Sequence, residues 1–249
     1  MTKIRSAAGG GRAVEVAPER LAGWFARFAD RHDGIATTRT TPAQVVVTAR
    51  DGATAEVTTS FEEFTPTGEV DGLDITSLLA HAAAPRRLGL LLVRLGGHSI
   101  GIALDGAVLV SATDSRQVHG RNKAGGWSQQ RFARRREGQA RVALQAAADD
   151  AVRVLVPRLD ELDAVVLGGD RQALDALRTD RRLTALFARA STRVLNVPEP
   201  RRSVLDDAAE RARAVEIIVR DPHMNPQDLP GADDLLAPLP EDPPPQYRP

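Results

Sequence analysis

Three apolar runs separated by glycine-containing turns limit most strongly what this chain can fold into. The runs span residues 88–95, 99–104 and 107–113, and they are broken by Gly96-Gly97 and by Asp105-Gly106. Short apolar runs joined by such turns predict an antiparallel three-stranded meander. The fold therefore contains a β-sheet, and the elements after the meander decide its type.

A long helical pattern follows the meander. Apolar residues recur at steps of three and four between Phe132 and Leu155, and Ser128 is a suitable N-cap. Beyond Pro157, strand candidates at 163–167 and 193–195 alternate with helical patterns, the last of which runs from about residue 203 to 220. This order predicts an α+β fold in which a mixed β-sheet carries helices on its faces.

The first 84 residues predict a small N-terminal α+β unit. Pro18 can begin a helix that places Leu21, Phe25 and Phe28 on one face. Two β-branched runs, 44–48 and 55–59, flank an Asp-Gly turn and predict a β-hairpin.

The two ends of the chain are expected to be unstructured. The first dozen residues hold three consecutive glycines and little apolar content, so we expect them to fray. Residues 221–249 hold nine prolines and six acids against one arginine, which is typical of a disordered acidic tail. The predicted domains are 1–84, 85–220 and the tail at 221–249.

Composition excludes several classes of chemistry. The chain has no cysteine, and its five histidines lack the spacing of metal ligands, so we expect neither a metal site nor a cofactor. No apolar run approaches the roughly 20 residues that a membrane span needs, and the N-terminus lacks the apolar core of a secretory signal. We therefore expect a cytoplasmic protein.

Positive charge is concentrated in one stretch although the formal net charge of the chain is zero. Residues 121–141 hold seven cations and a single acid, Glu137. The cations are Arg121, Lys123, Arg131, Arg134, Arg135, Arg136 and Arg141. Such a cluster suggests contact with nucleic-acid phosphates, although a run of arginines on a helix is also typical of a solvated face.

Residues 125–136 carry a resemblance to a known family. The catalytic domain of eukaryotic and archaeal class-1 peptide release factors contains Gly-Gly-Gln followed by Ser-Ala-Leu-Arg-Phe-Ala-Arg. Here Gly125 and Gly126 match the paired glycines, Ser128 matches the serine, and residues 131–134 match the helix start. Residues 119–121, His-Gly-Arg, resemble the tripeptide just upstream. The resemblance implies a ribonuclease-H-like fold for the region after residue 84.

Trp127 stands where those release factors have their catalytic glutamine. Ser128-Gln129 instead resembles the Gly-Ser-Gln variant found in release-factor-like peptidyl-tRNA hydrolases of ribosome quality control. The chain is rich in arginine and alanine, with only two lysines, which would suit an actinobacterial branch of that group. Gln129 is then the first choice for the catalytic amide and Gln130 the second.

The resemblance implies hydrolysis of peptidyl-tRNA at the peptidyl-transferase centre of the large ribosomal subunit. Glutamine does not titrate, so it would act by placing a water and stabilising developing charge. Paired glycines would let the backbone approach the ribose closely. The expected catalytic residues are Gly125, Gly126, Ser128, Gln129 and Gln130. The expected tRNA- and rRNA-binding residues are Arg121, Lys123, Trp127, Arg131, Arg134, Arg135 and Arg136.

The N-terminal unit is small for a codon-reading domain and lacks an Asn-Ile-Lys-Ser-type motif. The predicted function is therefore codon-independent rescue of stalled ribosomal complexes, with no role for DNA or a membrane. The alternative is a non-catalytic ribosome- or RNA-binding factor that kept the fold but lost hydrolysis. A second glycine-rich segment, 168–170, follows a strand and is interpreted as a structural turn, because it lacks the remaining residues of a phosphate-binding loop.

Overall fold

A computed structural model of the chain describes residues 4–7, 10–59, 61, 64–94, 96–115 and 127–221. Of residues 127–137 it describes the backbone and not the side chains. These residues form two β-sheets, one of seven strands and one of five, with helices packed on both. The expected α+β class is confirmed.

The seven-stranded sheet is antiparallel throughout. Its strands are β1 (Ile4–Ser6), β2 (Arg12–Val16), β3 (Ile35–Thr40), β4 (Gln44–Ala49), β5 (Thr54–Thr58), β6 (Gly68–Asp71) and β12 (Val215–Arg220). Their order across the sheet is β1-β2-β12-β5-β4-β3-β6. The hairpin predicted around the Asp-Gly turn is β4–β5, and Gly52 in that turn has a φ of 90°.

Helices α1 (Leu21–Arg31) and α2 (Thr76–Ala83) cover one face of this sheet. Pro18 opens a short 3-10 turn that leads into α1, because its fixed φ suits a first helical turn. Leu21, Phe25 and Phe28 are buried against the strands, as their spacing predicts.

The five-stranded sheet holds the predicted meander. Its strands are β7 (Arg87–Arg94), β8 (Gly97–Leu104), β9 (Ala107–Ser115), β10 (Ala164–Gly169) and β11 (Ala190–Leu195). Their order is β11-β10-β7-β8-β9, with the meander antiparallel and with β10 and β11 parallel to β7. The expected mixed sheet is confirmed, and its order fits the ribonuclease-H-like fold implied by the resemblance.

Helices lie on both faces of the five-stranded sheet. They are α3 (Trp127–Val154), α4 (Arg171–Arg178), α5 (Thr184–Ala188) and α6 (Arg202–Arg213). Residues of α3, α4 and α5 pack on one face, and buried residues of α6 pack on the other. Within the described part of the chain, no helix is both long and apolar enough to cross a bilayer.

Two expectations about the chain ends were wrong. The helix predicted over residues 203–220 ends at Arg213, and its second half is β12. Val215, Ile217 and Val219 alternate with less buried residues, and this period of two fits a strand between β2 and β5. The first dozen residues also contribute β1 and the start of β2, which form a hairpin.

The division of the chain into domains 1–84 and 85–220 stays a prediction. Strand β12, which falls in the second of these ranges, pairs within the sheet formed by the first. Glu15 on β2 contacts Arg193 on β11 and Arg211 on α6, at 2.8 and 2.9 Å. Strand β2 belongs to the seven-stranded sheet, whereas β11 belongs to the five-stranded sheet and α6 packs on that sheet. These largely buried ion pairs therefore join the two sheets. Residues 222–249 of the expected tail lie outside the described residues.

Candidate functional site

The candidate motif lies between β9 and α3. Strand β9 ends at Ser115 and α3 begins at Trp127. Among the expected site residues, Arg121, Lys123, Gly125 and Gly126 lie in the intervening segment, outside the described residues. Nothing in the structure therefore tests their roles.

The remaining motif residues occupy the first turns of α3. Trp127, Ser128, Gln129 and Gln130 are its first four residues. The helix begins at Trp127, so Ser128 lies inside the helix. The expectation that Ser128 is the N-cap was therefore wrong. Helix boundaries shift in this way between sequence patterns and structures because terminal turns fray.

The basic residues continue along the same helix. Arg131, Arg134, Arg135 and Arg136 fall in its second and third turns. The order of amides and arginines along the sequence thus becomes an order along one helix axis.

The described side chains of α3, from Gly138 onward, become buried towards the C-terminal part of the helix. Its first described residue that is buried in the core is Ala143, and Val142 beside it is 48% exposed. A side chain at Gly138 would meet no described atom within 4 Å. At about 1.5 Å of rise per residue, Trp127 lies about 24 Å along the axis from Ala143. The motif therefore lies at the opposite end of α3 from the described residues that contact the core.

A buried polar contact anchors the packed part of α3. His98 on β8 is 1% exposed, and its Nε2 donates to Oδ2 of Asp150 on α3 at 2.8 Å. Arg153 donates to the other carboxylate oxygen at 2.7 Å. Burial raises the pKa of the Asp150 carboxyl, but the hydrogen bonds from His98 and Arg153 lower it more, so its pKa lies below the ordinary value.

His98 lies close to the end of β9, the strand that precedes the motif. It pairs across the sheet with Asp114, which is the residue before the last of β9. His98 thus connects two elements: its strand pairs with β9, and its side chain binds Asp150 on α3. Sequence reasoning missed this contact because the two residues lie 52 positions apart, and no local spacing predicts it.

The start of α3 has the chemistry of an anion site. The first four N–H groups of an α-helix have no partner within the helix, and the helix dipole favours negative charge there. In α3 these N–H groups belong to residues 127–130, which include both candidate glutamines. Such a helix start can donate hydrogen bonds to a phosphate or to the oxyanion of a reacting ester.

The second glycine-rich segment is a structural turn, as expected. Asp170 caps α4 by accepting a hydrogen bond from the N–H of Gln172 at 2.9 Å. Gly169 has a φ of 105°, and a Cβ there would overlap the backbone of Val93. The glycine is therefore required by close packing of β10 against β7.

Comparison with known proteins identifies the family. The model of the Actinobacteria/chloroflexi VLRF1 release factor family, acVLRF1, matches residues 86–218, which is more than half of the chain. No curated protein matches the sequence.

Solved structures show weaker similarity. An archaeal translation termination factor, aRF1, matches with a TM-score of 0.37 and 16% identity, over 67% of this chain and 51% of that protein. Dom34 of S. cerevisiae, a translation termination-like factor, matches with a TM-score of 0.30 and 10% identity, over 84% of this chain and 69% of Dom34. The chain thus spans about half the length of the archaeal factor. The match over residues 86–218 shows that the chain belongs to the actinobacterial and chloroflexi VLRF1 release factor family.

Proposed function

We propose that this protein hydrolyses the ester of peptidyl-tRNA on stalled ribosomal complexes, without reading a codon. Family membership supports a role in translation termination or rescue. The observation that carries the proposal is the position of the candidate amides in the first turn of α3, about 24 Å along its axis from Ala143, the first of its described residues that is buried. The unpaired N–H groups of that first turn can donate to the oxyanion or to a phosphate of a reacting ester.

The proposed reaction uses water and no titrating side chain. The carboxamide of Gln129, or of Gln130, holds a water against the ester carbonyl carbon. As the water oxygen bonds to that carbon, N–H groups at the start of α3 stabilise the oxyanion. The bond to the ribose 3′ oxygen then breaks, and that oxygen leaves as a hydroxyl with a proton from the water. Gly125 and Gly126 let the backbone approach the ribose.

The neighbouring residues hold the tRNA and rRNA in this proposal. Arg131, Arg134, Arg135 and Arg136, with Arg121 and Lys123, contact phosphates, which fixes position without reading sequence. Trp127 offers a flat aromatic ring on which a base or ribose of the acceptor end can stack. The large subunit supplies the remaining alignment at its peptidyl-transferase centre.

Peptide release from defined complexes tests the proposal. Purified ribosomes would carry labelled peptidyl-tRNA opposite a stop codon, a sense codon or a truncated message, and isolated large subunits would carry it with no message. The proposal expects release from all of these at similar rates. Release confined to the stop codon would contradict codon independence. Tight binding without release from any complex would favour the alternative, a non-catalytic ribosome-binding factor.

A further inference from the structure

Three exposed arginines lie at one edge of the five-stranded sheet, which we name the carboxyl edge. It is the edge at which the parallel strands β7, β10 and β11 end and at which β9 leads towards α3. Arg94 is the last residue of β7, Arg171 follows β10 at the start of α4, and Arg201 caps α6 after β11. Three chain segments therefore bring a cation to the same edge.

These arginines lack a carboxylate partner among the described residues, as do Arg158, Arg181 and Arg189 elsewhere in the domain. The guanidinium of Arg94 donates to the backbone carbonyl of Val197 at 2.8 Å. Arg171 and Arg201 make no ion pair with any described residue. Most other arginines of this region are neutralised by acids. The pairs are Arg87–Glu161, Arg153–Asp150, Arg178–Asp175, Arg182–Asp149, Arg182–Asp180 and Arg202–Asp206.

The described acids of the carboxyl edge include Asp114 near the end of β9, Asp170 and Glu199, and none of them forms an ion pair with these arginines. Asp170 accepts a hydrogen bond from a backbone N–H at the start of α4. Glu199 lies against the turn at Gly96, which joins β7 to β8. None of these carboxylates is within ion-pair distance of Arg94, Arg171 or Arg201 in the described part of the chain.

The carboxyl edge continues the basic start of α3. Arg141, which is exposed and also without a described carboxylate partner, lies on α3 between the packed segment and the cluster at 131–136. In sheets of this kind, ligands bind outside the carboxyl ends of the parallel strands. Along the chain, cations thus occur from the start of α3 to Arg141, which is two residues before the first described buried residue of the helix.

We propose that Arg94, Arg171 and Arg201 form a second RNA-binding surface, which contacts phosphates of ribosomal RNA or tRNA when α3 is inserted. The inference rests on the proposed function and adds a contact surface to it. Guanidinium groups bind phosphate oxygens in bidentate fashion, so these contacts would add affinity and fix orientation without sequence specificity.

The test compares two triple variants of the full chain. The edge variant is Arg94→Gln, Arg171→Gln, Arg201→Gln. The control variant is Arg20→Gln, Arg27→Gln, Arg31→Gln, which removes three exposed arginines at and along α1 that also lack a described carboxylate partner. Association with purified large ribosomal subunits and with deacylated tRNA is measured from 50 to 300 mM KCl.

The edge variant should bind both RNAs about tenfold more weakly at 100 mM KCl. The slope of its plot of log K against log [KCl] should be smaller in magnitude by about two, because each lost phosphate contact removes about 0.7–0.9 from that slope. The control variant should match the natural chain. Equal weakening of both variants, or binding by the edge variant that equals the natural chain, would overturn the inference.

Binding and peptide release by the natural chain together distinguish the RNA-binding surface from the proposed hydrolase activity. If it binds and the edge variant is weakened, but no complex releases peptide, the hydrolase proposal falls and the RNA-binding surface stands. If the edge variant binds normally while the natural chain releases peptide, the surface falls and the hydrolase stands. If the natural chain binds neither RNA, both fall.

Discussion

The Nε2 atom of His98 on β8 lies 2.8 Å from Oδ2 of Asp150 on α3. This contact joins the centre of the meander to the helix that carries the candidate catalytic amides. Because His98 is buried, losing its acceptor would leave an unsatisfied polar nitrogen beneath α3.

Replacing Asp150 by alanine should therefore destabilise the protein by about 1–3 kcal/mol, the usual cost of leaving a buried polar group without its partner. Urea unfolding at pH 7 measures the change. The control is Asp149→Ala, which removes the exposed neighbour that pairs with Arg182. It should cost less than about 1 kcal/mol, because exposed ion pairs contribute little. Equal effects of the two substitutions would contradict the account.

The same carboxylate should make stability depend on pH. The folded-state pKa of Asp150 is lowered, so its contribution is fully present above the unfolded-state pKa of about 4 and is lost as pH falls through the folded-state value. Unfolding free energies of the natural chain and of Asp150→Ala should differ most near pH 7, and the difference should begin to shrink near pH 4 and continue to shrink as the pH falls through the lower folded-state pKa. A difference that grows as the pH falls would contradict this sign.

The ion pairs of Glu15 should stabilise the junction of the two sheets. Burial raises the pKa of Glu15, while hydrogen bonds and charges of Arg211 and Arg193 lower it more, so the net pKa is below its ordinary value. Glu15→Gln leaves the largely buried guanidinium of Arg193 without a described charged partner and leaves Arg211 with only Asp207, at 3.8 Å, so it should cost about 2–4 kcal/mol in urea unfolding.

The matched control for that substitution is Glu56→Gln. Glu56 also bridges to an arginine of a neighbouring strand, Arg220, but both side chains are about one-third exposed. It should cost less than about 1 kcal/mol. A cost for Glu15→Gln no larger than this would mean that the junction does not depend on the ion pairs.

Gly169→Ala should be more destabilising than its backbone conformation alone explains. The φ of 105° strains any side chain, and the new Cβ would also overlap the backbone of Val93. We expect a loss of about 2 kcal/mol or more. Gly72→Ala isolates the conformational part, because Gly72 has a φ of 79° with no described atom within 4 Å of its Cβ position, and it should cost about 1 kcal/mol. Similar losses would remove the packing argument.

Local patterns predicted the elements whose signals are local. The meander and the β4–β5 hairpin follow from apolar runs and Asp-Gly turns, and α1 follows from the spacing of Leu21, Phe25 and Phe28. Strand β12 was missed because neither glycine nor proline separates it from α6, and because its partner β2 lies about 200 residues earlier in the chain. Pairing over that distance leaves no local trace.

The candidate site was predictable to the same extent. Its motif is contiguous, so the sequence alone indicates the amides and the arginines that follow them. The His98–Asp150 contact and the carboxyl edge with Arg94, Arg171 and Arg201 depend on how strands and helices are arranged, so only the structure reveals them.

Substitution of the helix arginines should weaken ribosome association. Changing Arg131, Arg134 and Arg135 together to glutamine removes three cations next to the candidate amides. The association constant should fall by at least tenfold at 100 mM KCl, and the salt dependence should flatten by about two in log–log slope. Unchanged binding across the salt series would show that these side chains do not contact RNA.

The most direct test of the central claim is single-turnover peptide release by variants of the two candidate amides. Gln129→Ala and Gln130→Ala would be compared with the natural chain at saturating protein, and Gln139→Ala, an exposed glutamine on the same helix, is the control. Removing the group that positions the water should slow release by about 100-fold or more in one of the two variants, with ribosome binding retained. Gln139→Ala should release peptide at the natural rate. Natural rates in both Gln129→Ala and Gln130→Ala would contradict the account.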